Sequence, residues 1–496
     1  MRLFCFLTAL CLLWITDSTS VAAQEGRYEL GRRLRRYELS WDRVADADRV
    51  RSTPVMEKAV GSFFSLRWLD AAQALDQALH SLQSDQEPSV FKSWVLAQRL
   101  VAQPALSDMS TSTVTVRCSS FYPVEAKTLD FGQAELSLRP LKFSEKTTSP
   151  FAPADEPVAK TDWFPTSQLQ DGFNWTLPQV PEGDYWLIAD VRSSGGEESL
   201  ELGRIMLSRV ERLEARLEIV ASKQLASAPE ASETGTATLR QSLSLLQDIQ
   251  DGIQQEIDYP ATHLLRTCEL LVAANGNSEA VFSNAFSGEA WLTLAQDKRS
   301  TTMRVRVPAG QTSGTARPVL FLFHGAGGSE NMFFETYGAG RAVDLAAERG
   351  WIVVATRQGL LGGIGLGCAD LVELLDRHFS IDRERIFFMG HSMGAGQAVQ
   401  QATRAPQLPA AVIALGGGSG VNGSRIGNAP WFVAAGDLDF GRRGAKALAD
   451  SLTAAGKQVR WEIYSNTEHM VIVQAALNDA FEFLDQVAAQ RPTAIP

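Results

Sequence analysis

Residues 386–394, IFFMGHSMG, decide the fold of the second half of this chain. Four apolar residues typical of a buried strand run into a G-x-S-x-G pentapeptide at 390–394, and an Ala- and Gln-rich segment typical of a helix follows. In a strand–turn–helix setting, such glycines permit the tight turn that lifts a serine hydroxyl above a sheet. The N-terminus of the following helix favours negative charge at that point. The stretch therefore predicts a nucleophile elbow, with Ser392 as the catalytic nucleophile.

A glycine-rich loop, HGAGG at 324–328, directly follows another apolar run. Backbone N–H groups held by such a turn stabilise the oxyanion of a tetrahedral intermediate. We predict an oxyanion hole made by the N–H groups of Met393 and Ala326, or of Gly327 if the loop is set differently. A phosphate-binding loop is the competing interpretation, but the loop has neither a following Lys-Ser/Thr pair nor a G-x-G-x-x-G pattern. His324 is predicted to hold the loop rather than to act as a base.

The general base follows from the order of residues along the chain. Hydrolases with a nucleophile elbow place their triad in the order serine, acid, histidine. Only one of the six histidines, His469, lies after Ser392, in a polar stretch beyond the apolar run 459–464. We therefore predict His469 as the base. His378 precedes the nucleophile and is expected at the protein surface.

Two carboxylates compete for the third position of the triad. Residues 436–439, Gly-Asp-Leu-Asp, directly follow the apolar run 431–435. The common arrangement puts the acid three residues after the strand-ending glycine, which favours Asp439. Asp437 remains the alternative.

Short apolar runs bounded by turns or helices recur over the last two hundred or so residues. They lie at 291–294, 303–307, 319–323, 351–355, 386–389, 411–415, 431–435 and 459–464. Buried parallel strands have this appearance. We therefore predict an α/β domain over residues 286–490 with a mostly parallel sheet.

The motifs of this region together resemble the α/β-hydrolase superfamily. The closest resemblance is to secreted esterases that include polyhydroxybutyrate depolymerases, feruloyl and acetylxylan esterases and related predicted peptidases. The matching residues are the loop 324–328, the segment 380–386 that leads into the elbow, the stretch 436–439 and the pair 468–469. The resemblance covers roughly residues 289–490. It implies an α/β-hydrolase domain, and it says much less about the substrate.

These residues predict a carboxylesterase-type serine hydrolase that works through an acyl-enzyme, without a metal ion or an organic cofactor. Its substrate is expected to be a small-molecule ester or an ester borne on a polymer. A serine peptidase of the same fold is the alternative, because the same groups cleave amides. A binding protein with an inactive hydrolase fold is a further alternative, which the intact Ser392, His469 and Asp439 disfavour.

The site is expected to be open. The short stretch between Ser392 and Asp437 has to hold a helix and two strands, which leaves no room for the lid that many lipases insert there. The residues upstream could still fold over the site. Residues 270–490 alone are expected to retain some ester hydrolysis.

Composition describes an acidic globular protein of two or three domains. The 496 residues include 46 Lys+Arg and 57 Asp+Glu, for a formal net charge of −11. Phosphate would repel such a chain, so nucleic acid is not an expected partner. Five cysteines exclude a disulfide scaffold, and their spacing suggests no zinc site.

The region before the α/β domain divides into three predicted parts. Residues 24–105 read as a charged arm and a helical segment, and the arginine cluster 32–36 is expected to be a solvated helix face. Residues 106–200 read as a small β-sandwich. Residues 201–285 read as a helical hairpin whose first helix spans 202–225. We expect an accessory role for this region.

The first 23 residues are predicted to be a signal peptide. An apolar run at 3–15 precedes a small-residue cleavage site that ends at Ala23. The mature protein is then secreted or periplasmic, without stable insertion in a membrane. The sequence leaves open whether Cys118 and Cys268 form a disulfide or whether these two and Cys368 are free thiols.

Overall fold

Helices form the start of the chain. The computed structural model describes residues 21–124, 132–142, 152–196, 198–224, 232–309, 316–357 and 365–491. Its first helices are α1 (Val21–Trp41), α2 (Asp46–Phe64), α3 (Trp68–Gln83) and α4 (Val90–Ala97). Helices α1 to α3, called the cap below, share an apolar core that includes Leu34, Met56 and Leu75. Within the described ranges, no helix has both the length and the apolar character needed to cross a membrane.

The arginine cluster on α1 is not a solvated face, so this expectation was wrong. Arg33 is only 1 % exposed. Its Nε donates to Asp76 Oδ2 at 2.8 Å, and its Nη1 donates to the Glu29 carboxylate. The Tyr122 hydroxyl donates to the same oxygen of Asp76 at 2.9 Å. Burial of this charge is tolerable because Glu29, one turn away on α1, and Asp76 of α3 both pair with it.

A β-sandwich follows the helices. Its elements are β1 (Gln98–Gln103), β2 (Leu106–Asp108), β3 (Thr113–Ser120), β4 (Gln133–Lys142), β5 (Ala152–Pro153), β6 (Ala159–Lys160), β7 (Phe164–Pro165), α5 (Thr166–Asp171), β8 (Phe173–Thr176), β9 (Gly183–Arg192) and β10 (Ser199–Val210). One sheet has the order β1-β3-β8 and the other β2-β10-β9-β4-β5, with β6 and β7 also paired to β4. The fully buried side chains of Val116, Leu136, Leu187 and Leu207 belong to the common core.

The connector to the last domain is helical, but it begins later than predicted. Its helices are α6 (Leu213–Gln224), α7 (Glu233–Gln250), α8 (Ala261–Ala273) and α9 (Ser278–Val281). The predicted helix over 202–225 is wrong in its first part, which is the end of strand β10. Residues on both faces of β10 are buried, so its apolar run lacks the alternation that marks a half-exposed strand.

The C-terminal sheet contains all eight predicted strands. They are β11 (Gly288–Gln296), β12 (Arg299–Val307), β13 (Arg317–Phe323), β14 (Ile352–Thr356), β15 (Ile381–His391), β16 (Ala411–Leu415), β17 (Trp431–Gly436) and β18 (Val459–Tyr464). The order is β11-β12-β14-β13-β15-β16-β17-β18. Strand β12 pairs antiparallel with β11 and β14, and the remaining pairs are parallel. The predicted α/β-hydrolase fold with a mostly parallel sheet is confirmed.

Helices cover both faces of this sheet. They are α10 (Met332–Glu335), α11 (Arg341–Glu348), α12 (Cys368–Asp376), α13 (Met393–Arg404), α14 (Arg442–Ala454) and α15 (Ile472–Ala489), with a 3-10 turn at Tyr337–Gly340. Helices α12, α13 and α14 pack on one face and α11 and α15 on the other. The carboxyl ends of the parallel strands meet at one edge, where Ser392, Asp439 and His469 follow β15, β17 and β18.

The cap lies on that edge of the sheet. Thr53 Oγ1 donates to the carbonyl oxygen of Asn466 at 3.1 Å, and the Tyr28 hydroxyl donates to Asp258 Oδ2 at 2.8 Å. Val471, two residues after the predicted base, is buried in the apolar core of the cap. The cap and the loop that carries His469 therefore form one packed unit.

The three cysteines outside residues 1–20 are free and buried. Cys118 lies in the core of the sandwich and Cys268 in the core shared by the connector helices and the sheet, so the possible disulfide between them is not formed. Burial raises the pKa of the Cys118 and Cys268 thiols to about 12. Both thiols are therefore protonated and unreactive at neutral pH.

Candidate active site

Ser392 occupies a strained turn between β15 and α13. Its backbone has φ 57° and ψ −117°, which a residue with a side chain rarely adopts. The two motif glycines are required by close approaches. A Cβ at Gly390 would lie 2.1 Å from the carbonyl oxygen of Gly394, and a Cβ at Gly394 would lie 1.9 Å from that of Phe323. This is the geometry of a nucleophile elbow.

Ser392, His469 and Asp439 form one hydrogen-bonded line. Ser392 Oγ lies 2.8 Å from His469 Nε2, and His469 Nδ1 lies 2.7 Å from Asp439 Oδ1. The side chains of His469 and Asp439 are buried, with 2 % and 4 % of each residue exposed. The Gly441 N–H also donates to Asp439 Oδ1, at 2.6 Å, and helps to orient the carboxylate. A base in contact with a hydroxyl and oriented by a carboxylate is the arrangement that activates a serine nucleophile.

Asp437 lies apart from this line and has a different set of contacts. Its Oδ1 accepts a hydrogen bond from the Thr467 N–H at 3.2 Å, and its carbonyl oxygen accepts one from Arg442 Nη1 at 2.7 Å. It therefore ties the end of β17 to the loop that carries His469. Of the two competing carboxylates, the structure places Asp439 beside the imidazole.

The glycine-rich loop after β13 lies directly against the serine. A Cβ at Gly325 would be 3.5 Å from Ser392 Cβ, so the backbone passes close to the nucleophile. Ala326 and Gly327 line the same cavity as Ser392. Among the described residues, the N–H groups of Ala326 and Gly327 have no hydrogen-bond acceptor. Met393 is the first residue of α13, where the backbone N–H has no partner within the helix.

Two further residues hold His469 in place, and neither was predicted from the sequence. His391 Nε2 donates to the carbonyl oxygen of His469 at 2.8 Å, and the Tyr337 hydroxyl lies 2.5 Å from His391 Nδ1. Burial and the neighbouring His469 hold the pKa of His391 well below its ordinary value, so its ring is neutral. The position of His391 inside the G-x-S-x-G motif was a visible signal, whereas nothing in the sequence pointed to Tyr337.

The remaining histidines of the domain have structural contacts. His324 Nδ1 lies 2.8 Å from the carbonyl oxygen of Gly325, within the glycine-rich loop. His378 is buried rather than at the surface, contrary to the prediction, because it bonds to Ser278 Oγ and to the Leu374 carbonyl oxygen at 2.9 Å and 2.8 Å. Within the part of the chain that the structure describes, no three His, Cys, Asp or Glu side chains are grouped as metal ligands.

A buried carboxyl lies next to the base. Glu468 accepts hydrogen bonds from the N–H groups of Met470 and Val471, both at 2.8 Å. Burial raises the pKa of Glu468 from 4.5 to about 7, although these two hydrogen bonds favour the charged form. The folded protein therefore holds a proton here that the unfolded chain releases between pH 4.5 and 7, so this group lowers stability as the pH rises through that window.

We expect Glu468→Gln to remove this pH dependence. Relative to wild type, the free energy of unfolding of the variant should rise by on the order of 3 kcal/mol between pH 4.5 and pH 8. Chemical denaturation at several pH values measures the difference. The matched control is Glu57→Gln, at an exposed position on α2. If the difference in the free energy of unfolding between Glu468→Gln and wild type stayed constant from pH 4.5 to pH 8, the raised pKa of Glu468 would be contradicted.

The site is covered, not open. Its cavity encloses about 930 Å³ of space, including solvent at its mouth, and Ser392 and His469 lie on its floor. Helices α1, α2 and α3 of the cap supply much of the wall. The Phe64 ring of α2 makes an edge contact with the His469 ring, with centroids 6.0 Å apart. The expectation of an open site was therefore wrong, and upstream residues do fold over the serine.

A comparison with protein families matches residues 364–482 to the dienelactone hydrolase family. The matched segment includes the elbow, the two competing aspartates and His469. No curated protein matches the chain.

Solved structures similar to the chain include several hydrolases. A feruloyl esterase module from Clostridium thermocellum is 14% identical, covers 40% of this chain and 86% of its own, and has a TM-score of 0.34. An S-formylglutathione hydrolase from Agrobacterium tumefaciens is 14% identical, with coverages of 40% and 94% and a TM-score of 0.34. A ferulic acid esterase from Anaeromyces mucronatus is 16% identical, with coverages of 41% and 91% and a TM-score of 0.35.

Proposed function

We propose that this protein, a member of the α/β-hydrolase superfamily, hydrolyses carboxylic esters through an acyl-enzyme on Ser392. The observation that carries the proposal is the unbroken line from Ser392 Oγ through the His469 ring to Asp439, with contacts of 2.8 Å and 2.7 Å. The adjacent loop supports it, because Ala326 and Gly327 line the same cavity as Ser392 and their N–H groups have no acceptor among the described residues.

In the proposed first step, His469 takes the proton of Ser392 while Oγ bonds to the acyl carbon. The oxyanion that forms accepts hydrogen bonds from the N–H of Met393 and from that of Ala326 or Gly327. The bond to the alkoxy oxygen then breaks, and His469 gives its proton to the departing alcohol. In the second step His469 takes a proton from water, whose oxygen bonds to the acyl carbon. The bond between that carbon and Ser392 Oγ then breaks, His469 returns the proton to Oγ, and the acid leaves.

Asp439 acts in this scheme on the histidine rather than on the substrate. Its Oδ1 holds the proton on Nδ1, so that Nε2 faces the serine, and it stabilises the charged ring. His391 anchors the other side of the same residue through the carbonyl oxygen of His469. These contacts are in place in the resting protein, which disfavours an inactive binding protein.

Hydrolysis of p-nitrophenyl acetate and butyrate by the mature protein, beside aminoacyl p-nitroanilides, tests the reaction class. We expect rapid release of p-nitrophenol and little release of p-nitroaniline. Faster cleavage of the anilides would favour the peptidase alternative. No turnover of either class by a folded protein would favour the binding protein.

We also propose that the protein is exported with cleavage after Ala23. Residues 1–20, which hold the apolar run of the predicted signal, lie outside the described residues. Cleavage there would leave Gln24 in the first turn of α1 and keep the contacts of the cap. N-terminal sequencing of the exported protein should begin at Gln24, and an intact Met1 in that fraction would contradict the proposal.

A further inference from the structure

The cavity above Ser392 has one wall that belongs to the cap. Every residue that α2 and α3 contribute to this wall, among those the structure describes, is apolar. The side chains that matter most here are Leu34, Met56, Ala59, Val60, Phe63 and Leu75. The side chains of α2 and α3 have no hydrogen bonds to offer, so a sugar or another polyol that packed against them would lose its contacts with water without replacement.

The polar side chains at the other end of the cavity already satisfy one another. Asn331 Nδ2 donates to Glu256 Oε1 at 2.8 Å, and the Ser329 hydroxyl donates to the same oxygen. Asn331 Nδ2 also donates to the Tyr259 hydroxyl at 2.8 Å. These side chains hydrogen-bond to one another, Arg27 of α1 also lines the cavity, and the apolar side chains of α2 and α3 favour an apolar ligand on their side of it.

The alcohol and the acyl group of an ester stay in the site for different lengths of time. Beside His469, the Phe440 ring lies at 33° to the imidazole with centroids 3.9 Å apart, and it also contacts Phe64 of the cap although Phe440 is 56 % exposed. The alcohol leaves in the first step of the proposed scheme, whereas the acyl group stays bonded to Ser392 until water attacks. The acyl group is therefore the part of the substrate that gains most from burial against the apolar residues of the cap.

The wall is held in a fixed position relative to the nucleophile. Arg35 of α1 pairs with Glu335 of the hydrolase domain, and Thr53 of α2 donates to Asn466 near the base. Val471 is buried in the same apolar core as the cap residues. Because the cap is held at several points, its distance from Ser392 is fixed, and that distance limits the length of a bound group.

We propose that the cap is the acyl-binding wall of the enzyme, and that Val60 and Met56 set the length of the acyl group it accepts. The substrate is then an ester of an apolar acyl group longer than acetyl. This inference rests on the proposed role of Ser392 as the nucleophile. Burial of each added methylene should raise kcat/KM about fourfold until the wall is reached.

The test is a series of p-nitrophenyl esters from acetate to dodecanoate, assayed with wild type and Val60→Phe. Wild type should prefer an intermediate chain over acetate. The larger ring displaces roughly three methylenes, so the ratio of kcat/KM for octanoate over acetate should fall about sixtyfold in Val60→Phe. An unchanged ratio in a folded Val60→Phe variant would overturn the proposal.

Two further variants show whether the change in chain-length preference comes from the cavity wall or from any added ring on α2. Met56→Ala enlarges the cavity and should move the preferred chain to a longer ester. Lys58→Phe places the same ring on the exposed face of the same helix and should leave the chain-length profile as in wild type. A series of alkyl acetates completes the set. If Val60→Phe changes selectivity among those alcohols and not among the acyl chains, the acyl assignment is wrong.

Binding to Ser392→Ala tests the wall without any turnover. Calorimetry should detect binding of octanoate to Ser392→Ala. Binding to the double variant Ser392→Ala, Val60→Phe should be at least tenfold weaker. Absence of octanoate binding to Ser392→Ala would overturn the acyl wall. Octanoate binding together with a wild type that hydrolyses no ester would support the wall while contradicting the proposed reaction.

Discussion

Ser392→Ala should lower the turnover of p-nitrophenyl acetate by at least about a thousandfold. The hydroxyl is the only group in the proposed scheme that bonds to the acyl carbon, and alanine leaves His469 without a nucleophile to activate. Any residual rate would come from the oxyanion donors and from binding alone. Initial rates with purified protein, corrected for spontaneous hydrolysis, measure the loss.

The control for this variant is Ser424→Ala, at an exposed position outside the cavity, which should keep the wild-type rate. Thermal unfolding of Ser392→Ala should occur at or above the wild-type temperature, because the contacts of the elbow glycines are unchanged. A folded Ser392→Ala variant with a tenth or more of the wild-type rate would show that the nucleophile lies elsewhere.

Asp439→Asn should lower kcat by about 10³- to 10⁴-fold, whereas Asp437→Asn should cost less than about tenfold. The amide at position 439 no longer stabilises the charged ring, and it can donate to Nδ1 and so favour the wrong tautomer of His469. Asp437 contacts the Thr467 N–H instead of the imidazole. Its amide can still accept that hydrogen bond through its oxygen.

The paired variants are of equal size and charge, so their comparison isolates the carboxylate that contacts the base. Rates should be measured from pH 6 to 9 to detect any shift in the profile of Asp439→Asn. If Asp437→Asn lowers kcat more than Asp439→Asn does, Asp437 and not Asp439 is the acid of the triad.

Local patterns were sufficient to predict the catalytic half of the fold. Each of the eight predicted runs is a strand. The runs of β14, β16 and β17 are uninterrupted, as a parallel strand buried on both faces requires. The elbow was equally visible, because Gly390 and Gly394 avoid clashes with backbone atoms only a few residues away or on the next strand. His469 was found by elimination from its place in the chain.

The cover over the site was not predictable from local patterns. Val60 and Phe64 lie near one end of the chain and contact a site near the other, and the helical spacing of α2 shows only that one face is buried. The spacing does not identify the residues against which that face packs. For the same reason the burial of Arg33 was not predicted, because its partner Asp76 lies on a different helix.

The cap also changes what is expected of a shortened chain. Residues 270–490 contain Ser392, His469 and Asp439, and the sequence predicted some activity for them alone. In the structure, removing the cap would expose Val471 and strip one wall from the cavity. We now expect that such a fragment loses both solubility and selectivity.

Covalent labelling with an alkyl fluorophosphonate, followed by mass spectrometry of the intact protein and of its peptides, identifies the nucleophile. A serine activated by His469 displaces fluoride and retains the phosphonyl group. The account predicts one adduct, on the peptide that contains Ser392, and none on the Ser392→Ala variant. An adduct on another residue, or unlabelled protein that still hydrolyses esters, would contradict it.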